Sequence, residues 1–160
     1  MLTLKQIRDD WVCWIAGSGE KEEELKSQAS SLDLNENVIF LGKRDDIPSL
    51  LKQTDILVLP TLIENQPISV IEAQIAGKAI IASDVGGIPE IIEHGVTGLL
   101  TPPRNTTMLT QNLNLLLTDN KLRKSIGSNA KKWGMTHWSI DLGMLKLMRI
   151  YKDAMKGRIL

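Results

Sequence analysis

Glu64 and Glu72, with seven residues between them, are the side chains of this sequence whose type and spacing most suggest chemistry. They lie in the run from Ile56 to Gly77, ILVLPTLIENQPISVIEAQIAG, which reads as a short apolar strand (Ile56 to Leu59), a loop and a helix from about Pro67 to Gly77. Proline suits a first helical position, where its missing N–H has no intrahelical partner, and glycine suits the position just after a helix. Glu64 falls in the loop leaving the carboxyl end of the strand, which is where open parallel α/β sheets bind ligands. The helix is apolar nearly all round, through Ile68, Val70, Ile71, Ala73, Ile75 and Ala76, the pattern of a helix packed inside a protein. Glu72 shares the face of Ile68 and Ile75, so it is expected to be buried and to need hydrogen-bonding partners.

The backbone N–H groups at the helix start, around Ile68 and Ser69, point toward the same mouth and favour negative charge. Two carboxylates accept hydroxyls and a helix terminus accepts an anion; a sugar nucleotide offers both.

The elements that position these groups alternate. Leu2, Leu4 and Ile7 suggest the tail of a helix, followed by a strand from Val12 to Ala16 and, after Gly17-Ser18-Gly19, a helix carrying Leu25, Ala29 and Leu32. That Gly-x-Gly is half a dinucleotide fingerprint, without the third glycine. Glu20, Glu22, Glu23 and Glu24 suit the helix dipole but repel a pyrophosphate, which counts against a nicotinamide oxidoreductase. A strand from Val38 to Gly42, a helix from about Ile47 to Gln53 and a strand from Ala79 to Ala82 follow in their places. Ser83-Asp84-Val85-Gly86-Gly87 reads as a tight loop, Ile88 to Glu93 as a short helix and Gly98 to Thr101 as the last strand. Helices then begin at Thr106, with Leu109, Leu113, Leu116 and Leu117 as their stripe, at Asn120, running to about Lys132, and after Trp138. On the last one Ile140, Met144, Leu147 and Tyr151 form a stripe that is either core or a docking face. Such alternation implies a doubly wound, Rossmann-like α/β fold, a parallel sheet flanked by helices with right-handed crossovers. One domain over 1–160 is expected, with the helices of 120–157 packed on it.

Composition narrows the function. Nineteen basic residues balance nineteen acidic ones, and no basic stripe with interleaved aromatics argues for nucleic acid. The single cysteine, Cys13, excludes a disulfide framework and reads as a small buried hydrophobe. With no signal peptide and no long apolar span, the expected setting is cytoplasmic, at most peripheral at a membrane surface, without a transmembrane segment. No Cys, His and carboxylate spacing suits a metal, so no protein-bound metal is expected.

The Glu64-x7-Glu72 pair, followed by Ala73 and Ala76-Gly77, AIIASDVGGIPEII from Ala79 and GVTGLLTPP from Gly95, resembles the group 1 glycosyl transferases. These are retaining, nucleotide-sugar-dependent enzymes of the GT-B fold, and the resemblance, from about Trp11 onward, is to their C-terminal, donor-binding domain. It implies a UDP-, GDP- or ADP-sugar as substrate rather than a resident cofactor, and a sugar or lipid-linked acceptor. It also implies that Glu64, as the catalytic carboxylate, contacts hydroxyls of the donor sugar and that Glu72 holds the ribose hydroxyls. Where the family often has Gly-Phe-Gly after the first glutamate, Asn65-Gln66-Pro67 stands here, leaving Gln66 and the backbone of Ile68 and Ser69 as donor contacts. Gly42 and Lys43 are placed by the same resemblance beside the base, and Gly86 and Gly87 beside the donor.

Against that family two parts are expected to be missing: the acceptor-binding N-terminal domain and the first strand, with its following basic loop. In the order 3-2-1-4-5-6 that strand is central, so the strands at Val12 and Ile56 are expected either to close up or to take a strand from another chain. An N-terminal-domain partner chain or self-association is the partner expected, and this chain alone is expected to be inactive. The alternatives are a non-catalytic interaction module and a nucleotide-sugar epimerase-like domain.

Overall fold

In the computed structural model, which describes residues 2–156, helices and parallel strands alternate over most of the chain. The order is α1 (Leu2–Ile7), β1 (Cys13–Ala16), α2 (Glu22–Ser31), β2 (Val38–Gly42), α3 (Ile47–Gln53), β3 (Ile56–Leu59) and α4 (Ile68–Ala76). Then come β4 (Ala79–Ser83), α5 (Ile88–Ile91), β5 (Leu99–Thr101), α6 (Thr106–Thr118), α7 (Asn120–His137) and α8 (Ile140–Met155).

The five strands form two parallel sheets, β1-β2 and β3-β4-β5. Among the described residues β1 hydrogen-bonds only β2 and β3 only β4, so the strands at Val12 and Ile56 do not close up on each other, the first of the two arrangements expected of them. The register runs from Ile56 opposite Ala79 to Leu59 opposite Ala82, and from Ile81 opposite Leu99 to Ser83 opposite Thr101.

Alternation along the strands builds two core clusters. Ala79 and Ile81 of β4 face a cluster with Leu113 and Leu116 of α6 and Ile126 of α7, joined by Leu4 and Trp11. Ile80 and Ala82 face the other side, with Val70 and Ala73 of α4 and Ile88, Ile91 and Ile92. All five residues of β4 are buried, so this strand is covered on both faces, as its unbroken apolar run requires.

α4 is held by α7 through small residues. A Cβ on Gly127 would meet the carbonyl oxygen of Gly77 at 2.4 Å, and one on Gly134 would meet the Gln74 side chain at 3.0 Å. Gly134 therefore serves close approach rather than termination, and α7 runs on to His137, past the expected end near Lys132. His137 stacks on Trp133 with ring centroids 4.0 Å apart. α8 buries no residue of its own, and residue 157, the expected end of the helical segment, lies outside the described residues. Its stripe is open, with Ile140 83% and Tyr151 61% exposed.

Candidate functional site

The site is built at the carboxyl ends of β3 and β4, where two loops meet. The first, 60–67, leaves β3 for α4. Within it the Thr61 hydroxyl donates to the Ile63 carbonyl at 2.9 Å, and the Glu64 carboxylate accepts from the Asn65 N–H at 3.1 Å. Glu64 is half-buried and Gln66 is exposed. The second loop, 84–87, leaves β4 for α5 and is anchored by the Asp84 N–H donating to the Thr101 carbonyl at 2.8 Å.

Contact between the two loops explains the glycine pair. Gly86 has φ +55°, and a Cβ there would fall 1.8 Å from the Glu64 carbonyl oxygen; one on Gly87 would fall 2.4 Å from that of Asn65. No side chain fits either position, so Gly86 and Gly87 let the backbone carrying Glu64 lie directly on the second loop. Three of the residues singled out from sequence are thus brought together.

Pro67 is the N-cap of α4 rather than its first helical residue, with an extended backbone at φ −70° and ψ 121°. Its carbonyl accepts from Val70 and Ile71, at 3.1 and 3.3 Å. The N–H groups of Ile68 and Ser69 precede the first intrahelical bond and are left for an outside acceptor. Ile68 is 71% exposed and Ser69 half-buried.

Glu72 is half-buried, not buried. The all-apolar pattern of α4 overstates its burial because only Val70, Ala73 and Gln74 face the interior, while Ile75 lies 42% exposed. Glu72 instead borders a groove of about 460 Å³ between α3 and α4, with Ile47, Pro48 and Leu51 opposite it. Gly42 and Lys43, expected to line a base pocket, are not among the residues lining that groove. Gly42 has φ +62° and its carbonyl accepts from the Gly17 N–H at 2.8 Å, so it joins the two β-strand ends of the smaller sheet. Lys43 is exposed. Its neighbour Arg44 makes a two-point contact with Asp46, at 2.8 and 2.7 Å, and this guanidinium holds the Asp46 carboxyl below the usual aspartate range.

Two features escape a reading of the sequence. Gln74 is fully buried, its amide donating to the Ile91 carbonyl at 2.6 Å and accepting from the Trp138 indole N–H at 2.8 Å. It ties α4 to α5 and to the turn after α7; the signal is an amide in an otherwise apolar helix. The second is a cavity of about 320 Å³ at the carboxyl ends of β3–β5, lined by Leu59, Ser83, Thr101, Arg104, Thr106 and Leu109. Arg104 adopts φ +61°, and Asn105 uses its side chain to cap α6 by accepting from the Met108 N–H.

Among the described residues, no three His, Cys, Asp or Glu side chains are grouped to hold a metal, and no helix is long and apolar enough to cross a membrane.

Residues 1–133 match the family model described as "Glycosyl transferases group 1". An uncharacterised glycosyltransferase of Methanocaldococcus jannaschii is 34% identical over 144 residues, covering 89% of this chain and 37% of that protein. Among solved structures, HepE of Anabaena in complex with UDP superposes with a TM-score of 0.87 at 26% identity, over 95% of this chain and 44% of that one. The same protein has also been solved with UDP-glucose. The C-terminal domain of LpcC, a group 1 family protein of Francisella tularensis, matches with a TM-score of 0.79 at 26% identity, covering 87% of this chain and 75% of that one. This chain thus spans less than half the length of the first two.

Proposed function

The chain belongs to the glycosyl transferases of group 1, and on that premise we propose that it is the half of such an enzyme that binds the nucleotide-sugar donor. The observation that carries this reading is the seating of the Glu64–Asn65 backbone on Gly86–Gly87, which places a carboxylate, a glycine-rich loop and the start of α4 around one mouth. Glu64 there receives hydroxyls of the donor sugar. The free N–H groups of Ile68 and Ser69, at the positive end of α4, receive diphosphate oxygens. Glu72, one turn further along α4, accepts the ribose hydroxyls, and the base lies beside Gly42 and Lys43, at the end of β2. HepE, a structural neighbour, has been solved with UDP and with UDP-glucose, which supports a nucleotide-sugar of this class.

The chemistry is transfer of a hexosyl group from the nucleoside diphosphate to a sugar, lipid or polysaccharide hydroxyl, with retention. Glu64 and Glu72 contribute by fixing the donor's orientation. Neutralising the departing diphosphate requires cationic groups, and Glu64, Gln66, Ile68, Ser69 and Glu72 supply none. The acceptor must also be held opposite this mouth. Both needs assign catalysis to an assembly larger than these residues, placed at a cytoplasmic membrane surface when the acceptor is lipid-linked.

Calorimetric titration of the chain with UDP, GDP and ADP, free and sugar-linked, tests the reading. Binding that prefers one base and weakens about tenfold or more in Glu72→Ala supports it, since each well-placed hydrogen bond from a hydroxyl to a carboxylate contributes about 1.5–3 kcal/mol. No binding to any of them would refute it.

A further inference from the structure

Both loops of the mouth run into helix caps: Pro67 is the N-cap of α4 and Gly87 that of α5. α5 is a single turn, Ile88–Ile91, too short to hold its own shape. Its far end is fixed by a side chain of α4. The Ile91 carbonyl, at the last residue of α5, receives no backbone N–H among the described residues and takes the Gln74 amide N–H instead, at 2.6 Å. No other hydrogen bond joins the two helices among those residues. On its other side Gln74 accepts the Trp138 indole N–H at 2.8 Å, and Trp138 packs edge-on against Trp133 with ring centroids 5.5 Å apart.

The two partners allow little choice of side chain between them. An indole N–H only donates and a peptide carbonyl only accepts, so the bridging group must do both, as a primary amide does. A glutamate would set its carboxylate against the Ile91 carbonyl, and a methionine of similar volume would leave both partners unpaired. Gln74 is nevertheless fully buried in a helix whose other interior residues, Val70 and Ala73, join the apolar cluster with Ile88 and Ile91. An amide there carries a desolvation cost that an apolar residue would not.

We propose that Gln74 is a positioning residue for the donor site: by holding Ile91 and Trp138 it sets α5, and with it Gly87, against the first turn of α4. This rests on the reading of the mouth as a donor site. Gly86 and Gly87 carry the Glu64–Asn65 backbone with clearance for no Cβ, so a displacement of α5 moves Glu64 as well. The same amide passes the displacement to Trp138, at the turn between α7 and α8. Occupancy of the mouth is thereby felt at an indole that is none of the proposed donor contacts.

Proton–nitrogen NMR of the 160-residue chain during titration with UDP-glucose tests this, following the Trp138 indole N–H, which is identified by its loss in Trp138→Phe. In the unaltered chain that signal shifts saturably, with the Kd given by the Ser69 and Gly87 amides. In Gln74→Met the indole signal moves in the free chain and no longer responds to ligand, and the Kd rises about fivefold or more. Trp138→Phe, which keeps an aromatic ring and removes the donor, raises the Kd in the same direction. The double variant is no weaker than Gln74→Met, as for residues acting through one connection. An indole that stays still while Ser69 and Gly87 shift overturns the proposal and leaves the donor reading standing. So does a Kd in Gln74→Met equal to that of the unaltered chain, whatever its urea midpoint, since a merely structural glutamine would lower only the midpoint. If Gln74→Met fails to fold, the indole of the unaltered chain and the Kd of Trp138→Phe decide in the same way. Ser69 and Gly87 amides that do not shift refute the donor reading, and this proposal with it.

Discussion

Gly86 sits where no other residue fits. Its positive φ, and the 1.8 Å that would separate an added Cβ from the Glu64 carbonyl oxygen, mean that Gly86→Ala must push the 60–67 loop away from the mouth. The expected result is a loss of about 1–3 kcal/mol in stability by chemical denaturation, with nucleotide affinity falling in calorimetry while the chain remains folded. A second residue-scale expectation concerns charge. The Arg44 guanidinium lowers the Asp46 carboxyl below its ordinary pKa, and a lowered acid stabilises the fold above its unfolded-state pKa and loses that contribution as pH falls through the folded value. Both groups are solvent-exposed, so the effect on overall stability is small and the readout is local. In an NMR titration, Asp46 should deprotonate below an unstructured aspartate, and Arg44→Gln should return it to the ordinary range. Retention of the low value in that variant would show that another group is responsible.

At the scale of elements, the contact of α4 with α7 fixes the helix whose first turn forms the site. Gly127→Ala puts a methyl 2.4 Å from the Gly77 carbonyl and should wedge the helices apart, costing about 1–3 kcal/mol in urea denaturation. A cost near zero would mean that the helices slide freely. The order of the elements is legible in the sequence because strand and helix periods differ and because Pro67, Gly77 and Gly86-Gly87 punctuate them. Two things are not. Gly134 is a contact only because Gln74 of another helix lies beside it, a long-range fact. Glu72 is expected inside because an apolar helix implies cover on all sides, whereas the extent of α3, a tertiary matter, leaves its groove open. The Glu64–Glu72 spacing marks the mouth, but the approach of residues 64–65 to 86–87 is a long-range fact that spacing does not contain.

For the whole molecule, α8 is the element least bound to the rest. It buries no residue and carries an apolar stripe into solvent, so deleting residues 140–156 should change Tm by less than about 2 °C in a thermal melt. A fall of many degrees would show that the helix supports the domain. The two parallel sheets, joined through one core, hold the mouth between the 60–67 and 84–87 loops without help from α8. Every role proposed for this mouth depends on its receiving a nucleotide-sugar, and amide chemical-shift mapping of the full chain during titration with UDP-glucose reads that out residue by residue. Saturable shifts are expected at Glu64 to Ser69, at Glu72 and at Gly86 and Gly87, extending to Gly42 and Lys43. Shifts confined to the cavity around Arg104 and Thr106, or none at millimolar ligand, would contradict a donor site at this mouth.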